Sequence, residues 1–176
     1  MTKVYIYVEG EHDDIFVRFV LYEYVFNNMG IDLNPIPYAQ TPNKKISKSI
    51  KSKQGYEYLF LSDLDSETHP CITSMKGKRV NDYNGLKYSK VIIVKEEIES
   101  WYLAGVNNSV DKFKDWEIPP QTDHITKEDF DAMYITSFDS KNDCLKEIAK
   151  HYDINLAVKR NESFKYFLNR LSNLFN

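Results

Sequence analysis

Cysteine, glycine and proline are all scarce in this 176-residue sequence, and each scarcity removes a class of protein. The two cysteines, Cys71 and Cys144, lie far apart and match no zinc-ligand spacing. A chain of this length buries about 70% of its unfolded surface, so its core needs neither disulfide nor structural metal. Six glycines and six prolines build no low-complexity linker, and no internal repeat is visible. No apolar run reaches membrane-spanning length, and the opening residues lack a charged-then-apolar leader. A cytoplasmic protein with reduced thiols and no membrane partner is the expectation. Basic charge is not in excess either: 23 Lys and Arg face 26 Asp and Glu, so no overall field attracts polyanions. A Gly-x-x-x-x-Gly-Lys phosphate loop is missing, so any ATP-driven component must be a separately encoded chain.

Aromatic residues are plentiful instead. Thirteen tyrosines and ten phenylalanines exceed what one core needs, and tyrosine also serves binding surfaces. The basic residues that exist are clustered. Lys44, Lys45, Lys48, Lys51 and Lys53 share a stretch without acids, and Lys76, Lys78 and Arg79 form a second one.

Val4 to Val8 is a continuous β-branched and aromatic run and reads as a buried strand, broken by Glu9-Gly10. A helix follows from Asp13, with Ile15, Phe16, Phe19, Val20, Tyr22 and Phe26 on one face. Further strands are expected at residues 31–37, 56–61 and 91–94, with a lysine-rich helix over 44–53. The segment 67–77 reads as a loop and 79–86 as a short helix, and an acidic helix start follows at 96–99. Residues 107–123 read as a surface loop, followed by helices beginning near Thr126 and spanning 141–151 and 163–175. Strands alternating with helices predict an α/β fold with a mainly parallel, Rossmann-like four-stranded sheet flanked by helices. Residues 1–105 are expected to form this domain, and 106–176 a loop and helical C-terminal extension packed on it.

Ligands of an open parallel sheet bind beyond the carboxyl ends of its strands. The first strand delivers Glu9 there, the third Asp63 and Asp65, and the fourth Glu97 and Glu99. Asp63 and Asp65 are two apart, which in extended backbone points both carboxylates to one face. Hard cations such as Mg²⁺ and Mn²⁺ take oxygen ligands, and carboxylates packed this closely repel one another unless a cation or proton intervenes. A lone Asp-x-Asp or Glu-Gly is common in solvated turns; their joint placement on one rim is what points to metal.

The stretch Val8-Glu9-Gly10-Glu11-His12-Asp13 after a first strand resembles the hydrophobic-Glu-Gly-x-x-Asp motif of Toprim domains. Leu61-Ser62-Asp63-Leu64-Asp65-Ser66 resembles their Asp-x-Asp motif. Glu97-Ile98-Glu99-Ser100-Trp101-Tyr102-Leu103-Ala104 is similar to a Glu-x-Glu-x-Trp-x-Leu-Ala stretch of small Toprim-like proteins, some associated with bacterial defence. Such domains occur in topoisomerases, primases, OLD-type nucleases and recombination proteins. The resemblance covers residues 1–105 and implies a Toprim-like fold and a metal-dependent nuclease. Glu9 would then be the general base or acid and also touch metal. Asp63 and Asp65 would hold Mg²⁺ or Mn²⁺, with Asp13 contributing through water. Glu97 or Glu99 would serve a second metal. The basic group that such nucleases set beside the scissile phosphate has Lys141 as its candidate, with Lys95 and Lys159 competing.

Lys44, Lys48 and Lys51 lie three and four apart on one helical face. They suit a nucleic-acid surface with salt-sensitive binding and equally suit a solvated helix face. Trp101 reads as core beneath the acidic helix rather than a stacking platform. Two functions follow: hydrolysis of DNA or RNA, or a non-catalytic Toprim-like subunit of a defence or recombination complex. Nucleotidyl transfer ranks last, because so short a chain leaves little room for template and two nucleotides.

Overall fold

Val4, Ile6 and Val8 alternate with Tyr5 and Tyr7 along the first strand, and nearly all are buried, so both faces of this strand are covered by protein. The computed structural model describes residues 2–53, 55–64, 71–135 and 137–174. It divides into two compact units, Met1–Val94 and Lys95–Asn176. The first unit is built on β1 (Thr2–Val8), β2 (Ile31–Pro37), β3 (Glu57–Asp63) and β4 (Val91–Val94). They form one sheet in the order β2-β1-β3-β4, with every pair parallel. The chain is therefore α/β with helices flanking a four-stranded parallel sheet, as its alternating pattern implied.

Parallel neighbours need helical crossovers. Between β1 and β2 run α1 (Glu11–Ile15), a π-helical turn over Phe16–Leu21 and α2 (Tyr22–Met29). Gly30, in the left-handed conformation at φ 66°, stops α2, and its N–H bonds to the Phe26 carbonyl. α3 (Asn43–Ser52) joins β2 to β3, and α4 (Ile72–Asp82) joins β3 to β4. On one face of the sheet, Tyr7, Tyr58, Phe60, Val91 and Ile93 pack with Ile46 and Ile50 of α3 and Met75 of α4.

Two expectations need correction here. The single apolar face expected for the first helix is split: Phe16, Val17, Val20, Leu21 and Val25 are buried, while Phe19 is 60% exposed and Tyr22 and Phe26 39% each. The π-turn widens the helix locally, so a 3.6-residue period stops describing which residues face inward. The expected loop over 67–77 is helical from Ile72, and the helix ends at Asp82 rather than near Leu86. Cys71 caps it, its Sγ accepting from the Ser74 N–H.

The second unit is helical: α5 (Ile98–Ala104), α6 (Lys127–Tyr134), α7 (Lys141–Lys150), α8 (Ile154–Arg160) and α9 (Glu162–Ser172). The expected capping box is present, with the Asp129 carboxylate accepting from the Thr126 N–H and Thr126 Oγ1 from the Asp129 N–H. Trp101 is fully buried against Phe164 and Phe167, and its Nε1 donates to Ser163 Oγ at 2.8 Å, as expected of a core residue. The helix α8 was not anticipated, and Phe175, placed by the sequence in the last helix, lies outside the described residues. Among the described residues no helix is long and apolar enough to cross a membrane.

Candidate functional site

In the order β2-β1-β3-β4 the chain turns one way from β1 and the other way from β3, which opens a crevice at the carboxyl ends of these two central strands. Glu9 follows β1 there, and Asp63 is the last residue of β3. Tyr7 is level with Phe60, so continuing the register by two residues sets Glu9 beside Ser62. Backbone pairing runs past the strand ends: the Tyr38 N–H donates to the Val8 carbonyl at 2.9 Å and the Ala39 N–H to that of Glu9 at 3.0 Å. The acidic edge is therefore held by the sheet ladder itself.

Two side chains that the sequence did not single out, Arg79 and Tyr38, complete this edge. Arg79 of α4 donates from Nε to Ser62 Oγ at 2.7 Å. Its other nitrogens lie 3.7 Å from Glu9 Oε2 and 3.9 Å from Asp82 Oδ2. Its side chain is only 14% exposed against 39% for that of Glu9, so the guanidinium is a fixed, largely desolvated charge beside a carboxylate that water still reaches. Tyr38 is buried, its ring stacked on Phe60 at 4.5 Å, and its hydroxyl sits 3.0 Å from the Leu61 carbonyl and 3.3 Å from Glu9 Oε2. Burial pushes that hydroxyl well above its ordinary pKa. The negative charges of Glu9 and Asp63 push the same way, while Arg79 and a hydrogen bond with Ser62 oppose them. Both carboxylates thus converge electrostatically on one neutral phenol. Tyr38, one residue beyond β2, was findable from the strand-edge rule; Arg79 was not, because nothing local marks which residue of a basic stretch reaches the sheet.

The residues expected to hold metal are placed unequally. Asp13 is buried in the first turn of α1, where its Oδ2 accepts from the Gly10 N–H at 3.2 Å, so it already serves the helix start. Asp63 alternates along β3 to the face opposite Ser62. Asp65 lies outside the described residues. Among the described residues no group of three or more His, Cys, Asp or Glu is arranged to hold a metal ion. Mg²⁺ commonly uses only one or two protein carboxylates and keeps several waters, so the hard oxygens of Glu9 and of Asp63 suit it in kind. Strand alternation turns the two to opposite faces, so both reach one cation only beyond the strand ends, where Arg79 competes for Glu9. A cleft of about 440 Å³ opens beside Glu9, lined by Gly10, Asp14, Arg18, Ala39 and Thr41 among others. Lys44, Lys48 and Lys51 line a separate groove of the same unit.

The second unit brings together the other predicted trio. The Lys141 ammonium lies 2.8 Å from Glu99 Oε1 and 2.7 Å from Asp131 Oδ1, only 12% exposed, and 5.5 Å from the Phe130 ring centroid. Burial alone would lower its pKa, but the hydrogen bonds with Asp131 and Glu99 outweigh it and the net direction is up. Lys141 is thus a held cation rather than a free base. Glu97 accepts from the Lys127 N–H at 2.5 Å and so caps α6. Its carboxyl is raised by burial, opposed by that hydrogen bond and reinforced by the charges of Glu99 and Glu128. Glu96, just before it, takes a left-handed backbone at φ 54°, uncommon outside glycine and asparagine. Of the competing lysines, Lys95 lies 3.9 Å from Asp123. Compared with models of known protein families, with curated proteins and with solved structures, the chain matches none.

Proposed function

We propose that the first unit hydrolyses phosphodiester bonds of nucleic acid with Mg²⁺ or Mn²⁺, using the carboxyl edge of β1 and β3 as a Toprim-like site. One observation carries the reading: Glu9 follows β1 and Asp63 ends β3 at the same edge of the sheet, with the Tyr38 hydroxyl 3.3 Å and the Arg79 guanidinium 3.7 Å from Glu9. The order of the Glu-Gly and Asp-x-Asp motifs along the chain supports it independently.

Glu9, Asp63 and Asp65 would hold the cation, whose chemistry is to withdraw charge from the phosphate and lower the pKa of bound water. Glu9 is open to solvent on one side and takes the proton of the attacking water. The oxygen of that water bonds to phosphorus as the bond to the leaving oxygen breaks, and the leaving oxygen takes a proton from solvent. Arg79 is the basic group beside the scissile phosphate in this reading, a role the resemblance alone suggested for Lys141. Its guanidinium meets developing charge on the nonbridging oxygens. Tyr38, neutral throughout, donates to Glu9 and fixes its orientation.

The test is cleavage of a panel of labelled DNA and RNA strands with Mg²⁺ or Mn²⁺. Glu9→Gln and Asp63→Asn should each lower the rate by about 100-fold or more. Undiminished cleavage in either variant removes this edge from the mechanism. The ion pair of Glu9 with Arg79 favours one competing reading, a non-catalytic subunit whose carboxylate is neutralised from within. That subunit would show no Mn²⁺ binding by calorimetry and would be recovered with a protein partner, such as a separately encoded ATPase, from its native host.

A further inference from the structure

We infer that the groove between α3 and the C-terminal end of α4 binds the phosphodiester backbone of a single nucleic-acid strand, an inference that deepens the hydrolytic reading and rests on it. Lys44, Lys48 and Lys51 line the groove from α3, facing Asn81, Asp82 and Asn84 across about 570 Å³. Ile46 and Ile50 bury the opposite face of α3, so the lysine face is fixed toward the groove. Among the described residues no carboxylate pairs with these three lysines, whereas Lys90, Lys112, Lys141 and Lys150 all have carboxylate partners.

The arrangement opposes the local electrostatics of its own helix. Like charges at Lys44 and Lys48 repel across one turn, and Lys44 and Lys45 stand at the positive end of the helix dipole. An anion in the groove relieves both. The stem of Lys51 lies across Gly85, so close that a Cβ there would come within 3.1 Å of its Cγ, which holds this lysine along the groove. From Lys44 to Lys51 the helix rises about 10 Å, enough to meet successive phosphates of one strand. Asp82, the acid on the far wall, leans toward Arg79 one turn earlier, so the same helix that walls the groove also carries the arginine beside Glu9.

The experiment is fluorescence anisotropy of the full chain with end-labelled oligo-dT, oligo-U and a DNA duplex, in chelator without divalent metal so that no cleavage occurs. Binding of the single strands should weaken with salt with a log–log slope of about −2, the value for three phosphate contacts on a single strand. Replacing all three lysines by glutamine should weaken binding by about tenfold or more and bring the slope toward zero. Asp82→Asn should tighten it, and Lys146→Gln, at an exposed lysine of the second unit, should leave it unchanged. Circular dichroism and a thermal melt check that each variant is folded, and the single variant Lys48→Gln, with a slope reduced by about 0.7, serves if the triple one is not. Preference for oligo-U or oligo-dT names the RNA or DNA source of the strand. Equal binding by wild type and lysine variants, tighter binding of the duplex, or competition only by inorganic phosphate would each overturn the groove. Failure of the hydrolytic reading looks different: strands bind in the groove, yet metal addition yields no cleavage, or cleavage survives Glu9→Gln.

Discussion

Tyr38 keeps its proton across the physiological range because burial and two nearby carboxylates all resist its ionisation. The sign of its effect on stability follows. The unfolded phenol ionises near 10 and the folded one only higher, so above that pH the unfolded chain holds fewer protons and stability falls as pH rises. Below pH 10 the contribution is fully present. Urea midpoints measured between pH 8 and 11 should therefore decline, and Tyr38→Phe should flatten the decline. The same substitution should lower cleavage by removing the donor that orients Glu9, while Mn²⁺ affinity changes little. For Arg79→Ala the two readouts should part: cleavage falls, and Mn²⁺ binds more tightly because a competing cation has left Glu9. Calorimetry and strand cleavage on the same preparation check both directions.

At the scale of elements, α4 depends on one buried anchor, Met75. Met75→Ala should cost about 2–5 kcal/mol in urea unfolding and loosen the helix that positions Arg79. Gly105 presents the opposite case. A Cβ there would fall 2.3 Å from the Tyr152 ring, whose hydroxyl bonds to the Trp101 carbonyl. Gly105→Ala should therefore destabilise by about 1–3 kcal/mol or more, measured by the same unfolding. These elements also show what was legible in the sequence. β1, β3 and β4 were readable because their apolar runs are continuous and largely buried, whereas in β2 only Ile31 and Leu33 are buried and they alternate with the polar Asp32 and Asn34. α4 and α8 were obscured because Met75 and Ala157 are their only fully buried residues, leaving no periodic stripe to find. The π-turn defeated the periodicity of the first helix in a different way, by changing the period itself. Glu9 and Asp63 were visible because a strand end locates them. The contacts of Arg79 with Ser62 and Glu9 cross from helix to sheet, and no local pattern reports such pairings.

For the whole molecule, a net charge of −3 means that strand binding must come from a local groove and not from a general field. The account as a whole rests on the edge where β1 and β3 end. Crystals soaked in millimolar Mn²⁺ and read by anomalous scattering test it most directly. The account predicts a peak within coordination distance of Glu9 and Asp63, with Arg79 displaced from Glu9. A crystal with no peak at that edge and the Glu9–Arg79 pair intact would contradict it.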